Sequence, residues 1–134
     1  MRFLDSNVLV YVADDTDAVK QKVARRIVGD AVRGGGFIIS AQVLNEFASV
    51  LLRKLKKTAD EVDGFLEVLE LIRTVPAEPE WTRKAVSIMV RYRLQFYDSV
   101  LLAAASAMGC DEFWSEDLND GQLYCGIKAV NPFK

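Results

Sequence analysis

The sequence has no histidine and only two cysteines among its 134 residues. The absence of histidine excludes Ser-His-Asp and Cys-His nucleophilic catalysis, and it excludes the histidine pair with which many metal-independent nucleases move protons. Cys110 and Cys125 stand far apart without a CxxC pair, so neither a zinc site nor a disulfide framework is indicated. Hydrolytic chemistry in this chain would therefore depend on carboxylates and a metal ion.

Long apolar runs and a strong net charge are also missing. The apolar runs are far shorter than the ~20 residues of a membrane-spanning helix, and Asp5 interrupts what could have been the apolar part of a signal peptide. We therefore expect a cytoplasmic protein without membrane contact. The formal charge of -2 gives no overall attraction to nucleic acid, so a polyanionic substrate would need local basic patches or bound cations.

The residues that are present indicate one folded domain over residues 1–134. With 51% hydrophobic and 27% charged residues, the chain is typical of soluble proteins, and its length suits a single core. The apolar periodicity gives the element order β-α-α-β-α-α-(β)-α-α-β-β. This order predicts an α/β fold with a mostly parallel sheet of four or five strands and helices on both faces.

The same periodicity locates the elements. Strands are predicted at residues 3–4, 37–40, 112–115 and 127–130, with a short edge strand at 74–76 because Pro76 cannot donate to a central ladder. Helices are predicted over 17–33, 41–55, 58–72, 78–92 and 97–108, and the last is apolar nearly all round, which predicts a central position. Residues 8–12 are too few to distinguish a helix from a strand.

Three aspartates occupy equivalent places in this layout. Asp5 follows the first strand, Asp117 follows the strand at 112–115, and Asp98 opens the central helix. Each alone is explained as a cap or turn residue, but parallel strands bring their carboxyl ends to one edge, where the three would converge. Glu46 lies in the early turns of a helix that starts at the same edge, although helical periodicity places its side chain in solvent.

Converging carboxylates would require a cation. Their like charges raise one another's pKa values, and a bound divalent ion relieves the repulsion. Oxygen ligands without histidine or cysteine favour magnesium or manganese over zinc or copper. The acids therefore predict a Mg²⁺ or Mn²⁺ site suited to activating water and polarising a phosphoryl group.

Four short motifs carry a resemblance to a known family: Leu4-Asp5-Ser6-Asn7-Val8-Leu9, Asn45-Glu46, Tyr97-Asp98-Ser99-Val100-Leu101-Leu102-Ala103-Ala104-Ala105 and Ser115-Glu116-Asp117-Leu118. In this order and at these separations they resemble the motifs of the PIN-domain nucleases, in particular the VapC-type toxins of bacterial toxin-antitoxin pairs. The resemblance extends to Asn131-Pro132-Phe133 and so covers essentially the whole chain.

The resemblance implies a magnesium- or manganese-dependent endoribonuclease. Its catalytic and metal-binding acids would be Asp5, Glu46, Asp98 and Asp117. Asn7 and Ser115 match family positions that support the acids by hydrogen bonding, and Ser6 stands where threonine is more usual. The implied reaction is in-line attack of water on an RNA phosphodiester, leaving 5'-phosphate and 3'-hydroxyl ends. The implied partners are a small antitoxin that blocks the acidic groove and a second copy of the chain in a homodimer.

Other charged residues have two interpretations each. Asp120 is a possible outer metal ligand, or a residue of an Asn-Asp-Gly turn. Arg91 and Arg93, just before Asp98, are possible RNA contacts, or solvated surface residues. The basic run at residues 53–57 complements a helix dipole, or contacts RNA phosphates.

Three alternatives to a toxin remain open. The same fold serves an RNA-processing nuclease without an antitoxin, and the sequence alone does not separate the two. A non-catalytic binding module would have lost the chemistry, which the presence of all four acids disfavours. A phosphotransfer domain with Asp5 as nucleophile would be expected to carry a second acid two residues later, where Asn7 stands.

Overall fold

The computed structural model describes residues 1–134 and contains six strands and six helices. The strands are β1 Arg2–Leu4, β2 Phe37–Ser40, β3 Arg73–Val75, β4 Glu112–Trp114, β5 Leu123–Tyr124 and β6 Ile127–Val130. The helices are α1 Ser6–Val10, α2 Ala18–Val32, α3 Ala41–Arg53, α4 Ala59–Leu69, α5 Pro79–Tyr92 and α6 Phe96–Ala107. None of the six helices combines the length and hydrophobicity that crossing a bilayer requires.

The strands form one sheet in the order β3-β2-β1-β4-β6-β5. All neighbours are parallel except β5, which pairs antiparallel with β6. The mostly parallel α/β architecture is confirmed, and so is the edge position of β3. The predicted count of four or five strands is wrong, because β5 has only two residues, is too short to show any apolar alternation and was not predicted.

Local sequence signals set the helix boundaries. Thr58 and Glu61 form a reciprocal capping box at the start of α4, and Pro79 occupies the first turn of α5, where a missing N–H costs no hydrogen bond. Asp17 caps α2 by accepting a hydrogen bond from the backbone N–H of Lys20. The predicted helix limits consequently lie within a few residues of the observed ones.

The core lies on both faces of the central strands. Phe3 of β1 and Phe113 of β4 are buried and stack at a ring-centroid distance of 5.4 Å. The segment Leu101 to Ala105 of α6 is also buried, which confirms the central position predicted for this helix. Because apolar burial is the main favourable term in folding, this packing holds the carboxyl ends of β1 and β4 in a fixed register.

The carboxyl edge of the sheet carries the turns that matter for function. The ambiguous segment after β1 forms the short helix α1, and Asp5 is its N-cap. Helix α3 follows β2 immediately, and α1 packs against α3. The turn at Ser115–Asp117 follows β4, the strand beside β1. The segments that follow three neighbouring strands, β2, β1 and β4, therefore lie at one edge of the sheet.

Candidate active site

One cavity of about 960 Å³ opens at this carboxyl edge and is lined by all four predicted acids, Asp5, Glu46, Asp98 and Asp117. They come from four different places: the end of β1, the second turn of α3, the first turn of α6 and the turn after β4. Convergence at a sheet edge is the geometry in which α/β proteins form ligand crevices. The structure thus brings the four together, as the motif spacing suggested.

Asp5 is the buried member of the group, with 3% of its surface exposed. One carboxylate oxygen, Oδ1, accepts a hydrogen bond from the backbone N–H of Ser6 at 2.7 Å, and Oδ2 accepts one from Oγ of Ser115 at 2.9 Å. Burial raises the pKa of Asp5 to about 7; the Asp98 and Glu46 charges add to the increase, while the bonds from Ser115 and Ser6 oppose it. Asp5 therefore favours a proton or a cation at neutral pH.

Asn7 connects the acids of β1 and β4. Its Nδ2 amide lies 3.2 Å from Oδ2 of Asp5, 2.9 Å from Oγ of Ser115 and 2.9 Å from Oδ2 of Asp117. Because an amide has two hydrogens, it satisfies two of these acceptors at a time. Its Oδ1 accepts from the backbone N–H of Glu116 at 3.3 Å. Asn7 and Ser115 therefore occupy the supporting positions that the family resemblance implied.

The position of Glu46 corrects the expectation from helical periodicity. The carboxylate is only partly exposed: Oε1 accepts from Oγ of Ser6 at 3.1 Å, and Oε2 accepts from Nε2 of Gln42 at 3.2 Å. The apolar stripe of α3 does not reveal this position, because Glu46 is covered by α1, which packs against α3 and contributes Ser6. Glu46 thus faces Asp5 across the contact between the two helices.

Asp98 and Asp117 form the open side of the cavity. Asp117 is exposed, and its backbone N–H donates to Oγ of Ser115 at 3.1 Å. Partial burial raises the pKa of Asp98, and the charges of Asp117 and Glu46 raise it further. The four carboxylates therefore interact electrostatically as one group.

The donor set fits a divalent cation. No three acidic, histidine or cysteine side chains are already gathered at metal-binding spacing, so the site is not a closed protein cage. Mg²⁺ ordinarily keeps several waters and binds through one or two carboxylates together with substrate phosphates. The side chains of this open cavity that could bind a metal ion carry oxygen donors, without histidine or cysteine, and this donor set suits Mg²⁺ better than zinc.

A polar cluster that the sequence analysis missed supports the turn after β4. Glu116 accepts a hydrogen bond from the hydroxyl of Tyr11 at 2.6 Å and forms an ion pair with Nζ of Lys20 at 2.9 Å. The hydroxyl of Tyr11 also accepts from Nζ of Lys20 at 3.3 Å. The three residues come from distant segments with no shared motif, so only the fold reveals that they anchor the turn that carries Asp117.

The basic residues divide into two groups. Arg53 and Lys54, at the end of α3, line the cavity. Two hydrogen bonds from Thr16 lower the pKa of Asp14, which also lines the cavity, and the positive charges of Lys54 and Lys57 lower it further. Arg91 and Arg93 are exposed and do not line it. The positive charge of the cavity wall therefore comes from the run at residues 53–57.

Asp120 lies apart from the four acids. Its Oδ1 accepts a hydrogen bond from the backbone N–H of Asn131 at 2.8 Å, and it does not line the cavity. This bond joins the acidic turn to the end of β6.

The fold and the site define an α/β domain with a carboxylate-lined crevice at the carboxyl edge of a parallel sheet. The PIN domain family model matches residues 2–119. The chain therefore belongs to the PIN domain family, which confirms the resemblance. No curated protein matches the chain in sequence.

Solved structures with the same fold include VapC toxins. A toxin-antitoxin complex from Klebsiella pneumoniae has a TM-score of 0.70 at 16% identity, with 98% of each chain covered. DNA-bound VapBC from Salmonella typhimurium has a TM-score of 0.68 at 17% identity, covering 98% of this chain and 97% of that one. The sarcin-ricin-loop-cleaving toxin VapC20 of Mycobacterium tuberculosis has a TM-score of 0.65 at 17% identity, covering 84% and 87%.

Proposed function

We propose that this protein is a magnesium- or manganese-dependent endoribonuclease that acts as the toxin of a toxin-antitoxin pair. The observation that carries the proposal is the convergence of Asp5, Glu46, Asp98 and Asp117 on one cavity, with Asp5 buried among hydrogen-bond donors. Membership of the PIN domain family and the likeness to VapC structures, one of them described as a toxin that cleaves the sarcin-ricin loop, support it.

A bound Mg²⁺ or Mn²⁺ ion would neutralise the carboxylates, lower the pKa of a water and stabilise negative charge on the phosphodiester. Asp5, Glu46, Asp98 and Asp117 are the residues proposed to hold it. Asn7 and Ser115 keep Asp5 oriented toward the cavity, and Ser6 and Gln42 orient Glu46. Arg53 and Lys54 supply positive charge on the wall where a phosphate backbone would pass.

The proposed reaction is hydrolysis by water. Attack by the RNA 2'-hydroxyl would need an acid-base pair to move its proton, and the chain has no histidine to provide one. In-line attack by water leaves 5'-phosphate and 3'-hydroxyl ends. End-group analysis that finds a cyclic phosphate would contradict this mechanism.

The direct test is cleavage of a mixed RNA pool by purified protein in magnesium, in manganese or in chelator. Asp98→Asn removes a cavity carboxylate with little change of size, so we expect loss of metal-dependent cutting by at least a hundredfold. Asp63→Asn is the matched control, because Asp63 is an exposed acid on α4 outside the cavity. Equal cutting by the wild type and by Asp98→Asn would contradict the assigned site.

The toxin role requires a separate test. The K. pneumoniae structure is described as a toxin-antitoxin complex, so we infer that a small antitoxin binds this chain and blocks the acidic groove. Induced expression of the wild type should arrest growth of the host, Asp98→Asn should not, and co-expression of a small neighbouring gene should relieve the arrest. Metal-dependent cutting without growth arrest would favour an RNA-processing nuclease instead, and well-folded protein that cuts no RNA would favour a binding module.

A further inference from the structure

A second, smaller cavity of about 160 Å³ lies beside the acidic one. We call it the side pocket; its principal lining residues are Ser40, Gln42, Trp81, Thr82, Phe96 and Tyr97. Gln42 and Tyr97 line both cavities, and Nε2 of Gln42 donates to the Tyr97 carbonyl at 3.1 Å and to Oε2 of Glu46 at 3.2 Å. The two cavities are therefore separated by one hydrogen-bonded wall.

Ser40 is the unusual residue of this pocket. Only 2% of its surface is exposed, and its Oγ is the one buried side-chain polar atom in the protein without a hydrogen-bond partner. A buried hydroxyl without a partner costs about 1–3 kcal/mol, so most buried polar groups are satisfied. Oγ is closed to solvent in the observed rotamer, so it gains a partner from the pocket only when the side chain turns to another staggered rotamer.

The backbone around the pocket also offers free hydrogen-bond donors. Ser40, Glu78 and Gln95 are the N-cap residues of α3, α5 and α6, and none of the three caps its helix with a side-chain hydrogen bond. Ser40 and Glu78 line the pocket, as do the first residues of α6. Because the first N–H groups of a helix have no intrahelical partner, this wall suits a ligand edge that accepts hydrogen bonds.

The size and the walls limit the occupant. The volume holds several waters at about 30 Å³ each but lies below the ~300–1,000 Å³ of pockets for drug-sized ligands. Trp81 and Phe96 supply aromatic surface, on which bases stack. A flat ring with polar edges fits such a space and offers a hydrogen-bond partner to Ser40 once its hydroxyl turns toward the pocket, whereas an aliphatic side chain offers none.

We propose that the side pocket binds one unpaired nucleobase of the RNA, next to the phosphodiester that lies in the acidic cavity. This inference rests on the proposed function and deepens it, because the pocket then selects the base beside the cut. Tyr97 directly precedes Asp98 and lines both cavities. A base attached to the bound phosphate through its own sugar therefore has a short path into the pocket.

The test places a large side chain in the pocket by substituting an exposed residue that lines it. Thr82 is exposed on α5 and lines the pocket, so Thr82→Phe should occupy the space without disturbing the core. Ser87→Phe is the matched control, since Ser87 is exposed on the same helix and does not line the pocket. Ser40→Ala removes the hydroxyl with almost no change in volume. All variants are first compared with the wild type by thermal unfolding.

Two readouts are measured. The first is the base frequency on each side of the cut in a randomised RNA pool. The second is quenching of Trp81 fluorescence by short single-stranded RNAs, each rich in one base, in a Trp114→Phe, Asp98→Asn background; Trp81 is then the only tryptophan and no cutting is expected. We expect the wild type to prefer one base beside the cut and Ser87→Phe to match it. Thr82→Phe should lose that preference and bind RNA about tenfold more weakly. Ser40→Ala should alter the preference.

Each other outcome has a distinct meaning. Unchanged preference and unchanged quenching in Thr82→Phe would overturn the proposal. If no protein cuts RNA, the ribonuclease function fails, and the quenching titration alone decides the pocket: quenching lost in Thr82→Phe supports it, and no quenching by any RNA overturns it. If Thr82→Phe weakens binding of a co-expressed small protein and leaves RNA quenching intact, the pocket belongs to a protein partner and the proposal is wrong.

Discussion

At the scale of single residues, Asp5 is the most constrained group in the protein. A carboxylate at the end of a central strand is desolvated by the fold, and two further acids add their charges. The hydrogen bonds from Ser6 and Ser115 reduce this cost only in part, because burial still raises the pKa of Asp5 to about 7. Without a cation, the site therefore opposes folding at neutral pH.

The cost of Asp5 predicts a pH dependence. A carboxyl group whose pKa rises on folding binds its proton more tightly in the folded state, so the free energy of unfolding falls as the pH rises from the ordinary value of 3.8 to about 7. At 1.36 kcal/mol per pKa unit the loss is at most about 4 kcal/mol. Urea unfolding in chelator should show this decline in wild type and in Asp63→Asn, and a clearly smaller one in Asp5→Asn. Parallel curves for Asp5→Asn and wild type would contradict the buried, shifted carboxyl.

Substitution of Asn7 tests how the proposed metal-binding carboxylates are oriented, because Asn7 carries no charge of its own. Its amide contacts Asp5, Ser115 and Asp117, and loss of a group that orients metal ligands costs about 10–100-fold in metal affinity or activity. We expect Asn7→Ala to lower Mn²⁺ affinity or kcat by such a factor. Asn119→Ala, whose amide contacts only Gln122, is the control. The measurements are Mn²⁺ titration and steady-state cleavage, and near-wild-type values for Asn7→Ala would remove its assigned role.

At the scale of elements, the position of a residue can be predicted from the sequence where it depends only on the order of the strands. Asp5 and Asp117 could be placed at one edge because their strands are parallel neighbours. The helix of Glu46 could be placed at the same edge, but the direction of its side chain could not, because that depends on the contact between α1 and α3, and residues 8–12 were too few to be assigned as a helix. Contacts between side chains from distant segments, such as Tyr11 and Lys20 with Glu116, leave no periodic trace.

The C-terminal end of α3 carries the next prediction. Lys54 lines the cavity, whereas the sequence candidate Arg91 does not. We expect Lys54→Glu to weaken RNA binding and to reduce the slope of log K against log salt by about 0.7, the value for one single-strand phosphate contact. Arg91→Glu makes the same charge change outside the cavity and should have the smaller effect. Binding is measured in the Asp98→Asn background at several salt concentrations, and an equal slope in Lys54→Glu and its parent would assign the lysine to the solvated surface.

At the scale of the whole molecule, the overall charge does not favour RNA binding. The net charge of -2 gives no general attraction to RNA, so any electrostatic affinity for the proposed substrate would come from a bound cation and from the few basic residues at the cavity. Any ion that binds only the folded state also stabilises the fold by mass action. If the four carboxylates hold the proposed ion, function and stability are coupled, and the metal-free protein should be less stable at neutral pH than the metal-bound protein.

We propose in addition, at this scale, the homodimer that the family resemblance implies, and α5 offers an exposed apolar surface for it. Val86 and Val90 lie one turn apart, on the same side of the helix, and are 51% and 71% exposed. If a second copy covers them, Val90→Asp would bury a charge without a partner, so we expect it to shift the protein from dimer to monomer in sedimentation experiments. Val19→Asp on α2 is the matched control, because Val19 is 75% exposed on another helix. A wild type that sediments as a monomer at all concentrations would contradict the dimer, and a dimer unaffected by Val90→Asp would place its interface elsewhere than α5.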